Sequence, residues 1–445
     1  MEFAPSMFNR IVRDDKTILY NSYRGTNSVR YVTAANEERV LQYLASGTTW
    51  VRPEGDDVFQ SLVDIGYLVP VSVDEKALRD VLQFKICGDG KLRIIIHTTK
   101  QCNFRCKYCS LDFTNVPMSR IVQDAVVRFI HLNITRFTAV EVNWFGGEPL
   151  LEMGAIEYIS KHVMKICRKH MKPFVAIVTT NGYLLSPDVV ARLVECKVIH
   201  IAVTIDGLPE RHDKQRYLAG GGPSFEKIIG NLLWIKEHVA TQTLTVSIRN
   251  NLTVDAFCEF TEFYSYMDKL FGDDPRFSLF VRPVRDWGGA SIRNMEDVLF
   301  ENSTGLKIGD MYKFLKTFQG GLRFHSNFSD LEPGGLTCSV KYLNKIVIGA
   351  EGAVSKCDDS TSIETYGQLL PNGVMELNDD LNAKWMYRHV TEPKCDDCFL
   401  SCVCFFEECP KGRIYAGGKS ECTVDMHEID QLIAWTAHAH NVTAI

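Results

Sequence analysis

Between residues 93 and 281 the sequence switches repeatedly between two periods, and this alternation limits the fold more than any other feature. Short β-rich runs stand at Ile94-Ile95-Ile96, Val140-Glu141-Val142-Asn143-Trp144, Val175 to Thr179, Val198 to Ile205, Leu244 to Ile248 and Phe277 to Val281. Stretches with helical spacing separate them. Val122, Val126, Phe129 and Ile130 share one face behind Ser119, a candidate N-cap, and Phe225, Ile228, Ile229 and Leu232 do the same later. Repeated strand–helix units bury a parallel sheet under helices, so the fold class is α/β. Six units predict a partial (β/α)6 barrel of the TIM type, where chemistry gathers at the C-terminal ends of the strands.

The flanks differ from this middle. In residues 1–85, Thr17 to Tyr20 and Val29 to Val32 bracket the turn-rich Asn21-Ser22-Tyr23-Arg24-Gly25, which predicts a hairpin. Helical patterns follow at Glu37 to Leu44 and Val58 to Ile65. The expectation is a small winged-helix-like α+β module, either a binding unit or a cap on the barrel. After residue 330 the periodicity fades and Gly and Cys dominate, a composition that would need metal to fold stably. The expected domains are therefore 1–85, 86–320 and 321–445.

Fifteen cysteines are unevenly spread through the 445 residues. Cys102, Cys106 and Cys109 form one cluster and eight more lie from Cys338 to Cys422, while Cys87, Cys167, Cys196 and Cys258 are scattered. No apolar run has membrane-spanning length, and the first residues lack the apolar stretch of a signal peptide, so a soluble cytoplasmic protein is expected. Thiols in a reducing compartment are kept for metal or chemistry rather than disulfides. A net charge of −6 gives no electrostatic case for a nucleic-acid partner.

Cys102-Asn-Phe-Arg-Cys106-Lys-Tyr-Cys109 directly follows the first barrel strand. Three thiolates on so short a loop can converge on one centre, and three ligands on a 4Fe-4S cluster leave one iron open to a chelating small molecule. A structural zinc knuckle is the alternative. It would want a fourth ligand, and His97, the nearest candidate, belongs to the strand.

This spacing, with the aromatic Tyr108 before the third cysteine, resembles the radical S-adenosylmethionine (SAM) superfamily. Further motifs fall in the family's order. Gly146-Gly147-Glu148-Pro149 ends the second strand and resembles the motif that holds the amino group of the methionine moiety. Glycine lets backbone approach a ligand closely, and a carboxylate suits an ammonium. Thr179-Thr180-Asn181-Gly182 ends the third strand, and Thr204-Ile205-Asp206-Gly207, then His212-Asp213 and Arg216, ends the fourth. The resemblance implies that Thr204 (usually Ser in the family) and Arg216 contact the ribose and carboxylate of S-adenosyl-L-methionine. It also implies that Tyr108 lies against the adenine. For Thr179 and Asp206, strand-end capping is an equal reading. The implied reaction is one-electron cleavage of the cofactor, giving a radical that takes a hydrogen atom from substrate.

The C-terminal cysteines resemble the seven-cysteine SPASM pattern. Cys338 is followed by Gly352 and Cys357, then Cys395, Cys398, Cys404, Cys409 and Cys422. Four residues rather than three separate Cys404 from Cys409, and Cys402 is an extra candidate. The resemblance implies two auxiliary 4Fe-4S clusters, one on Cys395, Cys398, Cys404 and Cys422 and one on Cys338, Cys357 and Cys409. The fourth ligand of the latter is open: Cys402, a distant cysteine, or none, which would leave an iron for a substrate thiol. Structural zinc is the alternative. In related sulfatase-maturing enzymes a carboxylate at the place of Asp358 is a general base; Asp358 or Asp359 would take that role, or be a solvated loop residue. Arg282 to Gly289 would face the substrate cavity.

Enzymes that this layout resembles mostly modify proteins or peptides. The expected function is maturation of a ribosomally made precursor peptide, whose leader adds a strand to the N-terminal hairpin. The expected product is a thioether crosslink, and an external donor such as flavodoxin or ferredoxin is expected to supply electrons. The alternatives are a carbon–carbon crosslinking maturase, an anaerobic sulfatase-maturing (formylglycine-forming) enzyme and a non-enzymatic zinc-binding peptide adaptor.

Overall fold

The computed structural model describes residues 1–445 except 110, 112, 241–243, 285–294, 296, 303–304, 325–327, 359–364, 387–392, 406–409, 411–413, 415–421 and 423. Four short strands begin the chain: β1 (Glu2–Pro5), β2 (Asn9–Arg13), β3 (Thr17–Asn21) and β4 (Gly25–Tyr31). The hairpin expected around Asn21 is β3–β4, antiparallel, with β2 on its other side. The helices Glu37–Tyr43 and Asp57–Ile65 follow, with β5 (Trp50–Val51) and β6 (Leu68–Pro70) flanking β1 in a second small sheet. A third helix, Glu75–Cys87, leads to the barrel. Asp56 and Asp74 cap the last two helices, accepting from Phe59 N (2.9 Å) and Ala77 N (3.0 Å). Such a cap is typically worth about 1 kcal/mol.

The barrel strands are β7 (Leu92–His97), β8 (Val140–Phe145), β9 (Phe174–Thr180), β10 (Val198–Thr204), β11 (Thr245–Leu252) and β12 (Phe277–Pro283). All six pair in parallel and in chain order. Alternate residues face opposite sides of a strand. Ile94, Ile96, Val140, Val142 and Trp144 are fully buried, as are Ile130, Ile156 and Val163 on the covering helices. Burying one such side chain contributes roughly 1.5–3 kcal/mol. Ser119 caps the helix Arg120–Asn133 by accepting from Val122 N (3.4 Å), as its position in the sequence predicts.

The C-terminal third holds more regular structure than its composition suggests. β13 (Lys345–Ile348) pairs in parallel with β7, and β14 (Ala353–Ser355), β15 (Gly367–Leu369) and β16 (Met375–Leu377) extend the same sheet as an antiparallel meander. The barrel sheet thus runs on into the cysteine-rich segment. The helix Met426–Ala439 packs back on the N-terminal strands, with Trp435 fully buried. Beyond it, Tyr31 N donates to Thr443 O (3.3 Å) and Ile445 N to Tyr31 O (2.9 Å), so the chain lines the outer edge of β4. Among the described residues no helix is long and apolar enough to cross a membrane.

Candidate functional site

The cysteine loop leaves β7 at its C-terminal end and is held from two sides. Gly147 N donates to Thr99 O (3.0 Å) and Glu148 N to Gln101 O (2.9 Å), fastening it to the end of β8. Arg105 N donates to Tyr217 O (2.9 Å) and Lys107 N to Gln215 O (3.1 Å), fastening it to the segment after β10. Phe104, between the first two cysteines, is fully buried. Cys102 is buried and accepts from Phe104 N (3.3 Å), and Cys106 and Cys109 are half-buried. Burial pushes the Cys102 thiol up to about 12 and the Cys106 thiol up to about 11, and each thiol disfavours ionisation of its neighbours. A thiolate is therefore costly here unless a cation takes the place of the proton, which is how a metal centre would use these residues. Among the described residues, no three His, Cys, Asp or Glu side chains are closed on a metal-binding point in this structure.

The glycines at the end of β8 are required sterically. Gly146 has φ +117, in the left-handed region. A Cβ on Gly147 would lie 2.0 Å from Gln101 O and 2.5 Å from its carbonyl carbon, and neither backbone atom can swing aside. Gly147→Ala should therefore lower stability by about 1–3 kcal/mol and loosen the cysteine loop. Gly154→Ala, which would meet nothing within 4 Å, should cost nothing. Urea midpoints of the two variants check this, and equal midpoints would contradict it.

Glu148 is fully buried. Thr180 Oγ1 (2.7 Å) and Leu150 N (3.1 Å) donate to its Oε1, and Asn181 N (2.8 Å) to its Oε2. Burial pushes the carboxyl up, against these donors. The side chain thus clasps the ends of β8 and β9 together, and Pro149, also buried, opens the turn that follows. Asn181 also reaches the cysteine loop, donating through Nδ2 to Asn103 Oδ1 (2.7 Å).

A second polar cluster joins the loop to the ends of β10 and β11. The Tyr108 hydroxyl donates to Asp206 Oδ2 and accepts from Arg216 Nη1 (2.6 Å) and Asn251 Nδ2 (2.9 Å). Asn251 N donates to Asp206 Oδ1 (2.9 Å). Burial pushes the Asp206 carboxyl above its ordinary value, and Arg216 pulls it part of the way back. Buried His212 accepts at Nδ1 from Asp206 N (3.2 Å), and burial lowers its pKa, so the ring is neutral. Asp213 Oδ1 accepts from Ser224 N (2.7 Å) and Phe225 N (2.9 Å), a structural cap. Arg216 Nε is buried with no hydrogen-bond partner among the described residues, 3.9 Å from Asp206 Oδ2. An unsatisfied guanidinium donor fits an anionic ligand such as the carboxylate of S-adenosyl-L-methionine. Thr204 is buried at the end of β10 and Thr179 half-buried near the end of β9. Asn181 lies in the Thr179 to Gly182 motif read from the sequence, but its bond to the cysteine loop, and the roles of Asn103 and Asn251, carry no sequence signal.

Of the C-terminal cysteines, Cys338, Cys357, Cys395, Cys398 and Cys404 are half-buried and Cys422 is exposed. Cys409, Asp359 and Arg285 to Gly289 lie outside the described residues. Burial pushes the Cys398 thiol up, and the nearby Cys422 adds to that rise. Cys402 is fully buried; burial pushes its thiol up to about 12, and Ser22 of the N-terminal module contacts it. Asp358 is partly exposed, with Lys345 Nζ 3.6 Å away. Arg282 pairs with Asp330 through both Nη atoms (2.6 and 2.7 Å).

The barrel, its cysteine loop and the clasp at the end of β8 coincide with a known family: the Radical SAM superfamily model matches residues 96–262. These residues form a radical SAM domain. A Serine-type anaerobic sulfatase-maturating enzyme of Bacteroides thetaiotaomicron is 26% identical over 350 residues, 70% of this chain and 80% of that protein. The Fe-coproporphyrin III synthase of Methanosarcina barkeri is 24% identical over 140 residues, 32% of this chain. That alignment spans only about a third (33%) of the synthase, as does the next, to a GTP 3',8-cyclase 2 of Mycobacterium bovis (32%). Among solved structures, native anSMEcpe with bound AdoMet and Cp18Cys peptide has the same fold, with a TM-score of 0.53 and 17% identity over 79% of this chain and 97% of that one. Beyond that domain, the chain is similar to the maturase relative over most of its length and shares the fold of anSMEcpe, a likeness to radical SAM enzymes of the SPASM type. Such a domain implies S-adenosyl-L-methionine and a 4Fe-4S cluster, and auxiliary clusters are consistent with the SPASM type.

Proposed function

We propose that this radical SAM protein matures a ribosomally made precursor peptide, joining a cysteine sulfur to a carbon in a thioether. When bound, the cluster and S-adenosyl-L-methionine supply a hydrogen-abstracting radical. In this reading Cys102, Cys106 and Cys109 hold that cluster. The glycine turn at Gly146 and Gly147, kept in place by Glu148 and Pro149, faces the methionine moiety. Arg216 takes the carboxylate, Thr204 the ribose and Tyr108 the adenine side. Asp206 and Thr179 keep these groups in place. Residues 1–85 form the winged-helix-like leader module, 86–320 the partial barrel and 321–445 the SPASM domain. In the last, Cys395, Cys398, Cys404 and Cys422 hold one auxiliary cluster and Cys338, Cys357 and Cys409 the other. Asp358 acts as general base on a substrate group, and an external flavodoxin or ferredoxin supplies electrons.

The observation that carries the peptide reading is the union of a strand-edged module with the second cysteine segment. Tyr20 Oη donates to Leu331 O (2.6 Å), the Ser22 hydroxyl to Phe399 O, and the Arg10 guanidinium lies 5.2 Å from the Phe399 ring. A peptide captured by the module would start beside the auxiliary cysteines. The outer edge of β4 carries residues 443–445, whereas β2 pairs with β3 alone among the described residues. A leader strand is therefore assigned to β2. The contact of Cys402 with Ser22 favours a structural role for that thiol and an open auxiliary iron able to take a substrate thiolate. The peptide named with anSMEcpe supports the same substrate class.

Likeness to the sulfatase-maturating relative favours one second reading, oxidation of a single Cys or Ser to formylglycine. Anaerobic co-expression with a neighbouring short cysteine-bearing peptide, followed by mass spectrometry, decides between them. A thioether gives a product two hydrogens lighter per crosslink, with one cysteine no longer alkylated. A lighter product whose cysteines all still alkylate indicates a carbon–carbon bond. A hydrazide-reactive aldehyde indicates formylglycine. An unchanged peptide beside a zinc-loaded, iron-free protein overturns the enzymatic reading.

A further inference from the structure

The helix Glu75–Cys87, which joins the N-terminal module to the first barrel strand, also grips a loop more than 300 residues away in sequence. Arg79 is buried, with its side chain 3% exposed. Its Nη1 donates to Asp396 O (3.0 Å), its Nη2 to Asp396 Oδ1 (3.0 Å) and its Nε to Asp80 Oδ1 (3.1 Å). One helical turn earlier, Lys76 Nζ reaches Asp396 Oδ2 (3.1 Å) and Asp397 Oδ1 (2.7 Å). Asp396 and Asp397 are the two residues between Cys395 and Cys398. The helix therefore neutralises both carboxylates of a Cys-x2-Cys loop and pins one of its main-chain carbonyls with a rigid fork.

We propose that Arg79, supported by Lys76, is a positioning residue for the auxiliary cluster on Cys395 and Cys398, linking the peptide-binding module to that cluster. The inference rests on the reading that these two cysteines are cluster ligands. A cluster held by thiolates is anionic, and two aspartates inside its ligand loop add repulsion. Lys76 and Arg79 offset this, and the bond to Asp396 O fixes the backbone from which both thiols project. Hydrogen bonds and net charge around a cluster set its potential, and partners behind the ligands set its retention.

The test uses the full-length chain carrying Cys102→Ala, Cys106→Ala and Cys109→Ala, reconstituted anaerobically so that only auxiliary iron is read. Arg79→Gln should weaken iron retention against a chelator roughly 10–100-fold and shift the cluster potential downward. Arg79→Lys, which keeps the charge but loses the fork, should restore the potential more than the retention. Asp396→Asn keeps both oxygen acceptors for Arg79 and loses the charge, so the potential should rise while iron stays in place. The proposal is overturned if folded Arg79→Gln matches its parent in retention and potential. Should that variant fail to fold, an Asp396→Asn potential equal to the parent's overturns it. Cys398→Ser is the separate control: full iron in that variant would sink the ligand assignment itself, whereas iron loss there with an unaffected Arg79→Gln sinks only the positioning role.

Discussion

With Cys102, Cys106 and Cys109 all replaced by alanine, the chain is expected to fold, retain iron in its C-terminal third and make no 5′-deoxyadenosine. The loop depends mostly on other groups for its shape. Arg105 Nη1 donates to Cys102 O (2.8 Å) and Phe104 O (2.7 Å), Ala219 N donates to Asn103 O (2.8 Å), and Phe104 fills a buried site against Tyr183. Alanine removes three sulfur atoms and the Phe104 N to Cys102 Sγ bond (3.3 Å) but leaves those bonds in place, so the destabilisation should stay near the ordinary value of about 1 kcal/mol for each of the three changes. The chemistry depends on the thiols entirely, because nothing else on the loop offers a soft anionic ligand. Iron content, the spectrum of the reduced protein and chromatography of the nucleotide products read the two halves independently. Cofactor cleavage surviving in the triple variant would remove the loop from the active centre.

The barrel and its mouth are legible in the sequence for a physical reason. β7 has six residues and β11 eight, each long enough for apolar alternation to rise above composition. Motifs at strand ends then inherit a position, which is why Gly146 to Pro149 and Thr204 to Arg216 can be placed without coordinates. β13 to β16 have three or four residues each, too short for any period, and they read as glycine-rich loop until β7 is there to pair with. The polar clasps are harder still. Glu148 carries a recognisable motif, yet its carboxylate is spent on Thr180, Leu150 and Asn181, a set of partners assembled only when β8 and β9 lie side by side. Asn251 is one asparagine among many until the end of β11 brings it to Tyr108. Arg79 is of the same kind: nothing near residue 79 in the chain announces a partner at residue 396.

Arg216→Ala is expected to combine a large loss of stability with weakened nucleotide binding, and the pH dependence separates the causes. In the native protein the guanidinium donates to Tyr108 (2.6 Å) and lies 3.9 Å from Asp206, whose side chain is only 1% exposed. Removing one member of a buried pair typically costs about 3–5 kcal/mol, because the remaining charge stays in a poor solvent. Asp206 can escape part of that by binding a proton. Its carboxyl is already raised by burial, and the arginine opposes that shift, so the variant carboxyl rises further. A carboxyl whose folded pKa exceeds its unfolded one favours the folded state in acid and loses that contribution as pH rises through the folded value. The deficit relative to the native chain should therefore be largest at neutral and alkaline pH and shrink toward the acid range. Arg216→Lys, with a charge but no fork, should recover much of the stability while leaving S-adenosyl-L-methionine binding about tenfold or more weaker, the loss of one charged hydrogen bond. Urea titrations across pH read the first effect and calorimetry the second. A deficit that grows toward acid would show that Asp206 is not the group Arg216 neutralises. Native nucleotide affinity in the lysine variant would show that the orphaned Nε does not meet the cofactor.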